Sequence, residues 1–287
     1  MAKRTLRVLT LTAITVLIGA LAFAQSSLMA QVKQRGYIRI AVANEIPYGY
    51  VDANGTAHGI APDVATAVLK QMGITDIQWI VTQFGSLIPG LKANRFDMVA
   101  AGQNILPARC QQVLFSKPNS SYGEGLMVKA GNPDNIHGYD AFLNNHNLKM
   151  GIVSGADELE FAHAMGIPDS QLVMLPANAD ALSAVATGRI DAYAGTGLTV
   201  QRLAKNSSQV VPAAPFTQPV VNGKSVRSYG GFSFNKDHAA FVQQFDSTLA
   251  AFQQTPAWTK ILTSYGLTDQ DAQAALSKTT QELCTAQ

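Results

Sequence analysis

The stretch Leu87-Ile88-Pro89-Gly90-Leu91-Lys92-Ala93-Asn94-Arg95-Phe96-Asp97-Met98-Val99-Ala100 has a counterpart in Ala181-Leu182-Ser183-Ala184-Val185-Ala186-Thr187-Gly188-Arg189-Ile190-Asp191-Ala192-Tyr193-Ala194. Each copy runs an apolar helical segment into a turn, then Arg, an apolar residue, Asp and an apolar strand. The spacing, from Arg95 to Arg189, is far too long for a solenoid repeat. It suits two similar α/β lobes in one chain. Strands of this kind end at the edge of the sheet where open α/β folds bind ligands, so two facing edges make a cleft.

Working outward, the N-terminus reads as a leader. Lys3, Arg4 and Arg7 precede an apolar run, 8–21, and Ala22-Phe23-Ala24 fits an A-x-A cleavage site. Residues 1–24 are therefore expected to be a signal peptide, with Gln25 starting the mature chain. A membrane anchor is the alternative, but the run is short for a span and small residues lead into polar Gln25-Ser26-Ser27. No Cys follows to carry a lipid, so the expected location is the periplasm. Apolar residues make up 47% and charged residues 14% of the chain, with a net charge of +2 and no basic-aromatic run. That leaves ample core and no nucleic-acid footprint. The two cysteines, Cys110 and Cys284, invite a disulfide in an oxidising compartment; two unpaired thiols are the alternative.

Alternation of strands (38–42, 77–81, 97–101) with helices (62–72, 86–93) predicts a mainly parallel sheet. A second lobe repeats the rhythm from 149 onward, and Gly230-Gly231-Phe232 marks a return to the first. Gly131-Asn132-Pro133 is the candidate outward crossing. The expected division is 25–127 and 233–287 for lobe 1 and 128–232 for lobe 2.

Five scattered histidines lack metal-ligand spacing, and no nucleophile elbow, P-loop or G-x-G-x-x-G occurs. The sequence thus points to a binder without cofactor or metal rather than an enzyme. Ala101-Gly102-Gln103-Asn104-Ile105-Leu106-Pro107-Ala108-Arg109 carries the strongest local signal. Arg109 falls early in a short helix, where the dipole disfavours a cation unless an anion binds; a surface ion pair is the alternative. Tyr48 and Phe84 follow strands at the ligand edge and could offer ring faces or simply pack the core. Gly155-Ala156-Asp157-Glu158 opens a helix, so its acids suit either the dipole or a cation in the cleft. Glu45 is a similar candidate from the first lobe, and Thr196 occupies the place that Gly102 fills in the first repeat.

Taken together, Gly59-Ile60-Ala61-Pro62-Asp63-Val64, Ser86-Leu87-Ile88-Pro89-Gly90-Leu91, the Arg109 loop, Gly188-Arg189-Ile190-Asp191-Ala192 and Trp258-Thr259-Lys260-Ile261-Leu262-Thr263-Ser264-Tyr265-Gly266 resemble the family-3 solute-binding proteins of bacterial ABC importers. The resemblance implies a type II periplasmic binding protein: two α/β lobes, two hinge strands, one small ligand, and a permease with its ATPase as partners of a monomer. It gives Arg109 the ligand carboxylate. The family's amino-acid binders usually place an Asp at the position of Thr196 for the α-ammonium.

Within the family the chain looks most like the ectoine and hydroxyectoine binders, through Glu45-Ile46-Pro47-Tyr48-Gly49, Phe84-Gly85-Ser86, Arg109-Cys110 and Gly155-Ala156 followed by Glu158-Leu159. That likeness assigns Glu45 and Glu158 to the ring nitrogens and Tyr48 and Phe84 to the ring face. It departs at Asn104, where those proteins carry a third aromatic. The implied ligand is a small zwitterionic carboxylate, with a polar amino acid as the alternative. An arogenate or cyclohexadienyl dehydratase is the rival of another class, and a ligand presenter for a membrane receptor is a third.

Overall fold

A computed structural model describes residues 27–285; the expected signal peptide lies outside them. Two main sheets organise these residues. In the first, Ile38–Val42 lies between Ile77–Val81 and Met98–Asn104, parallel to both, and Ser228–Phe234 runs antiparallel beside Met98–Asn104. In the second, Met150–Val153 lies between Leu172–Leu175 and Ala192–Thr196, again parallel, and Glu124–Lys129 runs antiparallel beside Ala192–Thr196. The two sheets share one plan. In each, the antiparallel strand is the one that has just arrived from the other sheet.

The repeated motif explains how each plan is fixed. The backbone N–H of Asp97 donates to Arg39 O and that of Asp191 to Lys149 O, both at 2.9 Å. Each Asp carboxylate returns the contact, accepting from the Arg39 N–H at 2.8 Å and the Lys149 N–H at 2.6 Å. Each therefore clamps the start of a neighbouring parallel strand. Burial opposes ionisation of Asp97, but hydrogen bonds from Arg39 and Arg35 outweigh it and hold the carboxyl below its ordinary range. The turn before each motif needs a left-handed residue, which Asn94 (φ 53°) and Gly188 (φ 74°) supply. Phe96 and Ile190 are buried behind it, while the repeated Arg95 and Arg189 face solvent.

The outward passage falls at Gly123, between Ser120–Tyr122 in the first sheet and Glu124–Lys129 in the second. The expected boundary after 127 is thus too late, and the Gly131-Asn132-Pro133 loop lies inside the second lobe. The return falls just before Ser228–Phe234, which is already a first-sheet strand, so the boundary expected after 232 also moves earlier. Ile60–Gln71, Ala239–Gln253, Pro256–Ser264 and Asp269–Leu276 cover the first sheet around a core with Trp258, Phe232, Phe241 and Phe245. Phe232 and Phe245 meet edge to face at 5.1 Å. The second lobe has its own core around Phe142, Met150, Ile152 and Phe161. No helix among the described residues is long and apolar enough to cross a membrane.

Candidate binding site

Between the sheets lies a narrow cavity lined by residues of both lobes. Each strand that ends there delivers a wall. The loop after Ile38–Val42 brings Glu45 and Tyr48, and is pinned by paired backbone hydrogen bonds between Glu45 and Gly49 at 3.0 and 2.8 Å. Phe84 follows Ile77–Val81, and Gly102 lies on Met98–Asn104. The second lobe contributes Asp157 and Glu158 at the start of Glu158–Ala164, and Thr196 at the end of its strand. Gly102, at φ 65°, leaves the space that Tyr48 fills; a Cβ there would lie 2.8 Å from the Tyr48 ring. Thr196 caps Gly197–Ala204, accepting from the Thr199 N–H at 3.3 Å, while still facing the cavity.

Tyr122, Asn178 and Tyr193 also line the cavity and are absent from the sequence-based set. Tyr122 packs edge to face on Tyr48 at 4.9 Å and donates to Gly102 O at 2.6 Å. Tyr193 donates to Asn178. Tyr193 could have been found, since it stands inside the second repeat. Tyr122 was hidden by the misplaced crossing.

Three expected residues, Asn104, Arg109 and Gly155, are not in the cavity lining. Asn104 Nδ2 donates to Asp157 Oδ2 at 2.7 Å across the lobe boundary, and its Oδ1 accepts from the Tyr229 N–H at 2.8 Å. Arg109, only 6% exposed, stands at the cavity's flank. Its Nη1 donates to Asn104 O at 2.9 Å and its Nη2 to Gly155 O at 2.8 Å; Asp157 is 4.0 Å away and the Phe84 ring centroid 5.7 Å. The helix carrying it, Pro107–Cys110, is a single short turn. Cys110 is bonded to Cys284 of Thr280–Thr285, which fastens the two short helices together.

The site is acidic. Burial pushes the Glu45 carboxyl up to about 7, partly offset by a hydrogen bond from Thr199 Oγ1 at 2.8 Å. Burial and the neighbouring charge of Asp157 also raise Glu158 and the adjacent Glu124 well above the carboxylate range. No lysine, arginine or histidine is among the described residues that line the cavity. Aromatic faces beside buried carboxylates favour an organic cation. Among the described residues no group of acids, histidines and cysteines could hold a metal ion.

The profile of the bacterial extracellular solute-binding proteins, family 3, matches residues 38–268. The chain belongs to that family. A probable amino-acid ABC transporter periplasmic-binding protein of Sinorhizobium fredii, y4tE, is 50% identical to this solute-binding protein over 258 residues, covering 89% of this chain and 85% of its own. The ABC transporter arginine-binding protein 1 of Escherichia coli is 27% identical, covering 75% of this chain and 84% of its own. Among solved structures, EhuB in complex with hydroxyectoine superposes with a TM-score of 0.82 at 33% identity, covering 91% of this chain and 98% of its own. The solute-binding protein therefore has the type II periplasmic binding protein fold.

Proposed function

We propose that this protein is the periplasmic capture component of an ABC importer, and that it closes around a small zwitterion carrying a carboxylate and a delocalised cation, of the ectoine and hydroxyectoine kind. The observation that carries the reading is the cavity itself. Tyr48, Phe84, Tyr122 and Tyr193 offer ring faces, Glu45, Asp157 and Glu158 offer charge for the cation, and Arg109 stands at the flank for the carboxylate. The likeness to the hydroxyectoine-bound EhuB supports the same ligand class.

Ligand would dock first on the lobe carrying Arg109, Tyr48 and Phe84. The second lobe would then close, since contacts that exist only in the closed form drive closure. A permease with its ATPase would receive the closed monomer.

A second reading, a polar amino acid, draws on the relatives named for amino acids and arginine. Glu45 and Asp157 could then take an ammonium in place of the Asp that Thr196 replaces. The relatives are binding proteins, which speaks against a dehydratase. Calorimetry with ectoine, hydroxyectoine and arginine tests the proposal. Saturable heat with an ectoine supports it, heat with arginine alone favours the second reading, and silence with all three overturns both.

A further inference from the structure

Glu124 is the first residue after the outward crossing at Gly123, and it is 3% exposed. Its backbone is held without help from its side chain: the N–H donates to Gln218 Oε1 and the carbonyl accepts from Gln218 Nε2, both at 2.9 Å. Its Oε1 accepts from Ser228 Oγ at 2.9 Å, on the strand that brings the chain back. Its carboxyl does not line the cavity but is paired with the Glu158 carboxyl, which does, and the buried Tyr48 Oη in the cavity wall lies beside Thr196. The ionisable groups around Glu124 are Glu45 from the loop after the first strand, Asp157 and Glu158 from the second-lobe helix, and the phenols of Tyr48, Tyr122, Tyr139 and Tyr193. Arg109, the cation flanking the cavity, donates to two carbonyl oxygens and lies 4.0 Å from Asp157.

A buried carboxylate among other carboxylates destabilises a fold unless it holds a proton or a cation meets it. Glutamine would fill the same space and keep the Ser228 hydrogen bond without the charge. The acid at this position is thus a choice of charge. We propose that Glu124 is a specificity-determining residue: it stands behind Glu158, and the pair meets the delocalised cation of the ligand, an amidinium or guanidinium, through the Glu158 carboxylate on the cavity wall. The inference rests on the reading of the cleft as a site for a cation-bearing zwitterion. A planar cation presents N–H donors along more than one edge, so it can meet acids on opposite walls. Burial raises the proton affinity of both glutamates, so a bound cation displaces protons from them.

The test is calorimetry on the full mature chain with ectoine, hydroxyectoine and arginine, each in two buffers of different ionisation enthalpy, across a range of pH. Glu124→Gln should weaken whichever probe the wild type binds by about tenfold or more, a loss of about 1.4 kcal/mol, and should release fewer protons per ligand. Ser228→Ala keeps the carboxylate but removes its donor, so the loss of affinity on acidification should begin at higher pH. Wild-type affinity and proton count in Glu124→Gln overturn the proposal. If that variant does not fold, an unchanged pH profile in Ser228→Ala overturns it. Silence of the wild type with all three probes sinks the ligand class and this inference with it, whereas wild-type binding with an indifferent Glu124→Gln sinks this inference alone.

Discussion

Gly85 and Gly155 meet backbone to backbone across the lobe boundary: a Cβ on Gly155 would lie 2.8 Å from Gly85 Cα, and a Cβ on Gly85 would lie 2.9 Å from the Ser154 carbonyl oxygen. No flexible side chain is there to yield. Gly85 has an ordinary backbone conformation, so alanine tests the contact without strain at its own φ. Gly85→Ala should hold the lobes apart, weaken ligand binding about tenfold or more, and leave the saturated protein with a larger radius of gyration in small-angle scattering. Wild-type affinity and compaction would count against a closed form built on this contact.

Arg109 ties the two lobes and stands where a ligand carboxylate would need a cation. Arg109→Ala removes the cross-lobe bond to Gly155 O and leaves a buried carboxylate alone, a loss of about 3–5 kcal/mol. Calorimetry should show binding weakened by two orders of magnitude or more. Arg109→Lys should fall between, since an ammonium cannot serve Asn104 O, Gly155 O and a carboxylate with one planar fork.

Glu45 gives a signed pH dependence. Its carboxyl titrates near 7 in the folded protein and near the ordinary carboxylate value when unfolded, so between these the native state binds more protons. Stability without ligand should rise as pH falls from about 7 toward the ordinary carboxylate range, and Glu124 and Glu158 act in the same direction. Buried His238, whose pKa is lowered by desolvation, opposes the trend below its ordinary value. Thermal melts of wild type and Glu45→Gln isolate the term. The variant should show a flatter rise, and parallel curves would show that Glu45 does not carry it.

The Cys110–Cys284 bond closes a long loop, with 174 residues of sequence separation. The Cys110→Ser/Cys284→Ser double variant should lose about 2–5 kcal/mol of stability, read by denaturant unfolding. It should also bind more weakly, because Arg109 shares the freed helix. Full affinity in the destabilised variant would separate the bond from the site.

Much of the architecture was legible because the 87–100 and 181–194 motifs state a helix, a left-handed turn, an Asp clamp and a strand in local chemistry. The crossings were misplaced because Ser120–Tyr122 and Ser228–Phe234 are strands of Ser, Gly and aromatic residues, without the alternation that marks a half-buried strand. That error concealed Tyr122, which lines the cleft, and Glu124 behind Glu158, the two residues that flank the passage at Gly123. Asn104 was placed in the right neighbourhood by its loop, but its partners, Asp157 and the Tyr229 N–H, come from remote segments that no local pattern brings together.

The half-cystine at 110 directly follows the guanidinium at 109, so the oxidation state of one side chain bears on the footing of the next. On the prediction for the double cysteine variant, a chain that has not met an oxidant lacks the strap on its four-residue helix, and it would hold solute less firmly with every cavity wall unchanged.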